Sequence, residues 1–296
     1  MKKVIIALVI IILIGLGLWA IMKKADTTKT PSDQATTTDT VNLPDGIDAG
    51  DDTSIGMSEG GLEIPIYHYG SGDKEVLFVG GIHGGYEWNT VLLAYELMDF
   101  LEKNPTEIAE GVKVSVIPVL NPDGLNKVVG TTGRFTKEDV PSATSATVPG
   151  RFNANNVDIN RNFDCDWQAE GKWQDTTVSG GTAAFSESES IAIRDYVNAT
   201  NPDAVVVFYS SAGGVFASNC HDGVSEETMK LTKLYADASG YPAYQEFDFY
   251  EITGDMVNWL AKEEIPAISI LLTDHTNTEW EKNWKGIDAL LESIAQ

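Results

Sequence analysis

Four short apolar runs constrain this chain more than any other feature: EVLFVGG (Glu75 to Gly81), VKVSVIPVL (Val112 to Leu120), DAVVVFYSS (Asp203 to Ser211) and AISILLT (Ala267 to Thr273). Each has strand length, carries β-branched residues and is apolar throughout its centre, and the first three stop at Gly, Asn-Pro or Ser, which marks strands buried on both faces. Segments of helical periodicity alternate with them. EWNTVLLAYELMDFLEK (Glu87 to Lys103) gathers Val91, Leu92, Tyr95, Leu97, Met98 and Leu101 near one face. AFSESESIAIRDYVNAT opens with a predicted capping box of Ser186 and Glu189, TMKLTKLYADASG runs to a stop at Gly240, and TGDMVNWLAKEE forms a further helix. The alternation predicts an α/β domain whose mixed, mostly parallel sheet is covered by helices on both faces. Ligands of such sheets collect at the carboxyl ends of the strands.

The ends of the sequence read differently. Val4 to Met22 is a run of 19 residues without a charge, which at about 1.5 Å per residue spans a hydrocarbon core. It exceeds the apolar length of a cleaved signal peptide and no A-x-A site follows, so residues 1–24 are expected to form a single-pass signal anchor in the cell membrane. Lys2 and Lys3 favour a cytoplasmic amino terminus with the main domain extracytoplasmic. Residues 25–54, rich in Thr and Asp, read as a disordered linker, and residues 55–296 as the folded domain. The net charge of −24 becomes −28 once the four lysines of the first 24 residues are set aside. Such a surface excludes nucleic acid as a partner, since phosphate binding needs clustered Lys and Arg. The two cysteines, Cys165 and Cys220, are too few for a disulfide scaffold; outside the cytoplasm they could pair, and otherwise they are two buried thiols.

The first core strand leads into GGIHGGYEWNT, where His83 and Glu87 could reach one zinc ion from a glycine-rich turn. Spacing alone leaves a structural hydrogen-bonded pair as the commoner explanation. Further along come LNPDGL, RFNANNVDINRNF, SGGTAAFSESES and TGDMVNW. In this order they resemble the zinc carboxypeptidase family, the carboxypeptidase A-like metallocarboxypeptidases, and within it the bacterial members that act on peptidoglycan peptides. The resemblance covers roughly Val76 to Leu291. It implies zinc as cofactor, with His83 and Glu87 as metal ligands, although the family usually spaces them H-x-x-E and the spacing here is H-x-x-x-E. It further implies that Arg151 stabilises an oxyanion, that Asn160 and Arg161 grip a substrate's terminal carboxylate, and that Tyr250 closes over bound substrate. A planar guanidinium suits both arginine roles.

Two positions depart from the family. Its third zinc ligand, a histidine, is matched by Ser210, and its general-base glutamate by Leu271, or Leu272 with a shift of one residue. A hydroxyl is a poor zinc ligand and leucine accepts no proton. Of the other histidines, His68, His221 and His275, the second or third could fill the gap; Asp274, Glu263 and Glu264 are the nearby acids. The resemblance with its departures implies a protein that acts on, or binds, the carboxylate end of peptides, cell-wall peptides included, with impaired hydrolysis. The alternative is a catalytically inactive peptide- or peptidoglycan-binding relative. A serine hydrolase using YSSAGG is disfavoured because that run does not carry its serines in a G-x-S-x-G elbow. Asp255 reads as a helix-start acid that complements the dipole, with pairing to a basic substrate side chain as the alternative.

Overall fold

The computed structural model describes residues Thr53 to Gln296. The predicted membrane helix and nearly all of the linker lie outside the described residues, among which no helix is long and apolar enough to cross a membrane.

The four apolar runs form the heart of one sheet. Strands β1 (Thr53–Met57), β2 (Glu63–Gly70), β3 (Lys74–Val79), β4 (Val112–Ile117), β7 (Ala204–Ser210), β8 (Gly214–Ala217), β9 (Ala243–Tyr244) and β10 (Ala267–Leu272) are ordered β1-β2-β4-β3-β7-β10-β8-β9. A separate hairpin pairs β5 (Glu170–Trp173) with β6 (Thr176–Ser179). The central quartet β4-β3-β7-β10 is parallel, whereas β2 joins β4, and β8 joins β10, antiparallel. The sheet is thus mixed with a parallel centre, as expected. Apolar continuity marks only the centre: β7 is buried at every position, while β2 alternates and is half exposed.

Helices cover both faces. Helix α1 (Trp88–Lys103), helix α4 (Glu226–Ser239) and helix α6 (Trp280–Ala295) supply one face, where Leu97, Tyr235 and Leu290 pack on Phe78 and Phe208. Helix α3 (Ser188–Thr200) and helix α5 (Met256–Lys262) supply the other, where Ile193 and Trp259 join Leu77, Val205 and Val207. A short helix α2 (Pro122–Val129) grows from the NPDG segment that the sequence marks only as a turn.

The predicted capping box of α3 does not form. The N-cap is Glu187, without a side-chain capping bond. Ser186 instead donates to Glu187 Oε1 at 2.8 Å and accepts from Asn162 at 3.0 Å, and Glu189 accepts the amide of Glu59 at 3.2 Å. Tertiary partners outcompete the local cap. Helix α4, by contrast, ends as expected, with Gly240 at φ +76° as its C-cap.

Order reverses at β3, which has β4 on one side and β7 on the other. The loop leaving β3 carries His83, so the histidine emerges at the point where an open α/β sheet holds its ligands.

Candidate active site and metal centre

The HGGYE segment folds as a 3-10 turn, Gly84–Glu87, that runs into α1. Gly84 has φ +43°, and a β-carbon there would lie 2.7 Å from the Gly150 carbonyl. Only glycine lets the turn approach the segment that carries Arg151 this closely. The extra residue relative to H-x-x-E is absorbed in this turn: His83 Nδ1 sits 3.0 Å from Glu87 Oε1. The other ring nitrogen, Nε2, faces Asp158 Oδ1 at 3.4 Å. Both residues are buried, and apart from these two close approaches to carboxylates, His83 Nδ1, His83 Nε2 and Glu87 Oε2 make no hydrogen bond among the described residues. Orphaned donor atoms from an imidazole and a carboxylate on one locus, with a second carboxylate behind the imidazole, fit a zinc ion held by His83 and Glu87.

Arg151 is buried between aromatic rings and a carboxylate. It donates to Asp158 Oδ2 through Nε at 2.9 Å and Nη2 at 2.7 Å. Its guanidinium lies 4.7 Å from the Trp173 ring centroid and 5.7 Å from that of Tyr86. Despite complete burial, Asp158 stays ionised, because Arg151 and His83 hold its carboxyl well below the usual range.

Asn160 and Arg161 lie on a 3-10 turn after Asp158. Asn160 Oδ1 accepts from Tyr209 Oη at 3.2 Å and from the Met256 amide at 3.0 Å, which turns the amide NH2 outward as a donor. Arg161 is more committed than its expected role suggests. Its Nε and Nη2 donate to the Lys172 carbonyl at 2.9 and 2.6 Å, and Nη1 to the Asn160 carbonyl at 2.5 Å. The remaining Nη protons are its only contribution to a ligand. Tyr250 is half-buried and packs edge-on against Phe247, with ring centroids 5.0 Å apart. Burial raises its hydroxyl pKa.

His83, Glu87, Arg151, Asn160, Arg161 and Tyr250 line one cavity of about 840 Å³, with Asp158 buried behind them. Ser210 and Leu271 line it too, on the neighbouring parallel strands β7 and β10. Ser210 Oγ donates to Asn89 Oδ1 at 3.1 Å and lies 2.8 Å from His275 Nδ1. The candidate replacements separate clearly. His275 comes to the Ser210 position and packs on Tyr86 with ring centroids 4.8 Å apart. His221 stands exposed at the rim, paired with Asp166 at 2.8 Å. His68 sits in β2, 2.9 Å from Ser115 Oγ, and does not line the cavity. Asp274 spends its carboxylate on Thr276 and Asn277 to build a turn, while Glu263 and Glu264 are exposed beyond α5. Among the described residues, none of these acids takes the place of Leu271. Cys165 and Cys220 form a disulfide beside the same rim, with Cα atoms 6.1 Å apart.

Sequence reasoning missed Asp158, Asn89, Tyr86 and Trp173. Asp158 alone carried a signal, an acid inside the VDINRNF string.

The sequence profile of the zinc carboxypeptidase family matches residues 53–281. The chain belongs to the zinc carboxypeptidase family. It is 26% identical over 248 residues to gamma-D-glutamyl-L-diamino acid endopeptidase 1 of Lysinibacillus sphaericus, covering 76% of this chain and 61% of that one. It is also 26% identical over 248 residues to metallocarboxypeptidase A of Arthroderma otae, covering 74% and 56%. The chain therefore spans about three fifths of the length of these relatives. In fold it resembles carboxypeptidase A of Helicoverpa armigera, with TM-score 0.66, 18% identity and coverage of 83% of this chain and 69% of that one. It likewise resembles murein-tripeptide amidase MpaA of Escherichia coli O157, with TM-score 0.58, 20% identity and coverage of 83% and 92%.

Proposed function

We propose that this zinc carboxypeptidase-family protein binds the carboxylate end of peptides, cell-wall peptides among them, as a membrane-anchored extracytoplasmic protein whose hydrolytic step is impaired. One observation carries the reading. The cavity is lined by groups suited to recognising a carboxylate, Asn160, Arg161 and Arg151, and also by Ser210 and Leu271, which the sequence resemblance matches to the family's third metal ligand and general base. The Escherichia protein, a murein-tripeptide amidase, supports a cell-wall peptide as the ligand, and the Lysinibacillus protein, a gamma-D-glutamyl-L-diamino acid endopeptidase, supports a peptide. The uncharged run at Val4–Met22 supports the anchor.

His83 and Glu87 would hold the zinc, which when bound supplies Lewis-acid polarisation and an activated water. The protein's own groups orient the peptide. The Asn160 amide and the outer Arg161 protons meet the carboxylate, Tyr250 covers it, and Arg151 faces the carbonyl to be polarised. Proton transfer to a leaving amine then lacks a carrier, because Leu271 has no titratable group. Loss of a positioned acid–base group costs about 10²–10⁴ in rate.

Catalysis has one observation in its favour, the placement of His275 against Ser210, from which it would serve as substitute ligand. A zinc titration and a peptide-cleavage assay on the full-length protein decide between the two. The impaired reading expects carboxylate-dependent peptide binding without measurable turnover, and chelator-sensitive activity in the Ser210→His, Leu271→Glu double variant. Stoichiometric zinc with chelator-sensitive cleavage by the native protein would overturn it.

A further inference from the structure

Cys165, Asp166 and His221 border the mouth of the cavity, and Cys220 is bonded to Cys165. The four residues form two neighbouring pairs, Cys165 with Asp166 and Cys220 with His221. In each pair the second residue has a left-handed backbone, φ +54° at Asp166 and +70° at His221. Successive side chains of an extended chain point to opposite sides. Here that alternation is broken twice, and the pairs converge: ligand atoms of Cys165, Cys220 and His221 all lie within 4.8 Å of one another.

His221 Nε2 is 2.8 Å from Asp166 Oδ1. A neutral imidazole that donates through Nε2 keeps its lone pair on Nδ1. Metal-binding histidines are oriented in this way, by a carboxylate on the nitrogen that the metal does not use. The two side chains are 69% and 51% exposed, and an ion pair so open to water contributes little to stability. Stability therefore gives no account of two uncommon backbone conformations at one place.

In the disulfide the sulfurs are spent on each other, and reduction frees them. A dithiol gives two electrons to the bond and is itself oxidised to a disulfide, leaving Cys165 and Cys220 as thiols. A thiophilic divalent ion then displaces both thiol protons and binds the thiolates. On one tetrahedral zinc two thiolates lie about 3.8 Å apart. Cα atoms 6.1 Å apart admit that spacing with small side-chain rotations.

We propose that the reduced protein holds a zinc site at the cavity mouth, apart from His83 and Glu87, with the Cys165 and Cys220 thiolates and His221 Nδ1 as ligands. Asp166 is the positioning residue for the imidazole. The metal takes over the tie between two cavity-bordering segments that the disulfide makes when oxidised, and three protein ligands leave a fourth position to water.

Titration of the full-length protein with Cd²⁺, after reduction with dithiothreitol and desalting without oxygen, tests the assignment. A thiolate-to-cadmium band in the ultraviolet is expected to saturate at one equivalent and to be lacking in the oxidised protein, because an ion on His83 and Glu87 meets no sulfur. Zinc is expected to compete for the same site. His221→Ala and Asp166→Asn, which keep both cysteines, are each expected to weaken cadmium binding about 10-fold or more. Scanning calorimetry of the reduced protein supplies a second readout: zinc is expected to restore the unfolding midpoint lost on reduction in the native sequence but not in His221→Ala. Lack of the band in the reduced protein would overturn the proposal. So would cadmium affinity that both substitutions leave unchanged, since the thiolates alone would then hold the ion, or a midpoint that zinc does not raise.

Discussion

Asp158 carries its charge with none of its surface open to solvent, and two basic neighbours account for it. Arg151 gives it two N–H donors and His83 turns its outer nitrogen towards it. The carboxylate thereby fixes both the guanidinium expected near the reacting carbonyl and the ring whose Nδ1 faces Glu87. Asp158→Asn leaves Arg151 buried without its countercharge and is expected to cost about 3–5 kcal/mol in denaturant unfolding. The pH dependence follows from the sign of the shift. Because the folded pKa is depressed, the contribution is present above the ordinary carboxylate range and is lost as pH falls below it. The gap between native and variant is therefore expected to hold across neutral pH and to narrow only in strong acid. Residues differ in how openly the sequence declares them. His83, Glu87, Asn160 and Arg161 were visible because a motif fixes their spacing. Trp173 and Asn89 were not, since each reaches the site from a segment with no local signature: a hairpin strand in one case, the first turn of a helix in the other.

Helix α2 shows how a short element serves a distant residue. Asn121 accepts the Gly124 amide at 2.8 Å as N-cap and donates to the Arg151 carbonyl at 3.2 Å. One buried side chain thus closes the helix and pins the turn behind the guanidinium. Asn121→Ala is expected to lower unfolding free energy by about 1–2 kcal/mol and to weaken binding of a carboxylate-ended peptide, with calorimetry reading the second effect. Among elements, the parallel core was legible because strands buried on both faces leave unbroken apolar runs. The outer strands β1, β2, β8 and β9 and the β5–β6 hairpin were not, since their pairing is not declared by an unbroken apolar run. The hairpin matters most to the site. It brings the Lys172 carbonyl to Arg161 and the Trp173 ring over Arg151.

The disulfide works on the scale of the whole domain. Cys165 follows the NRNF string and Cys220 follows β8, 55 residues apart in sequence, so the bond ties two segments that both border the cavity. Closing a loop of this length is worth about 2–4 kcal/mol. Replacing both cysteines by serine is expected to lower the unfolding midpoint by several degrees, and reduction of the native protein to do the same, as scanning calorimetry would show. Replacement should leave the sheet intact, since its parallel centre packs without either sulfur. The sheet's two margins carry a consequence of their own. At one, β1 is broken by a bulge between Ser54 and Gly56; at the other, β9 is two residues long. Neither margin offers a neighbouring molecule a long, flat row of free amides and carbonyls to extend. A net charge of −24 adds mutual repulsion between copies, so extension of the sheet from molecule to molecule is disfavoured at both margins.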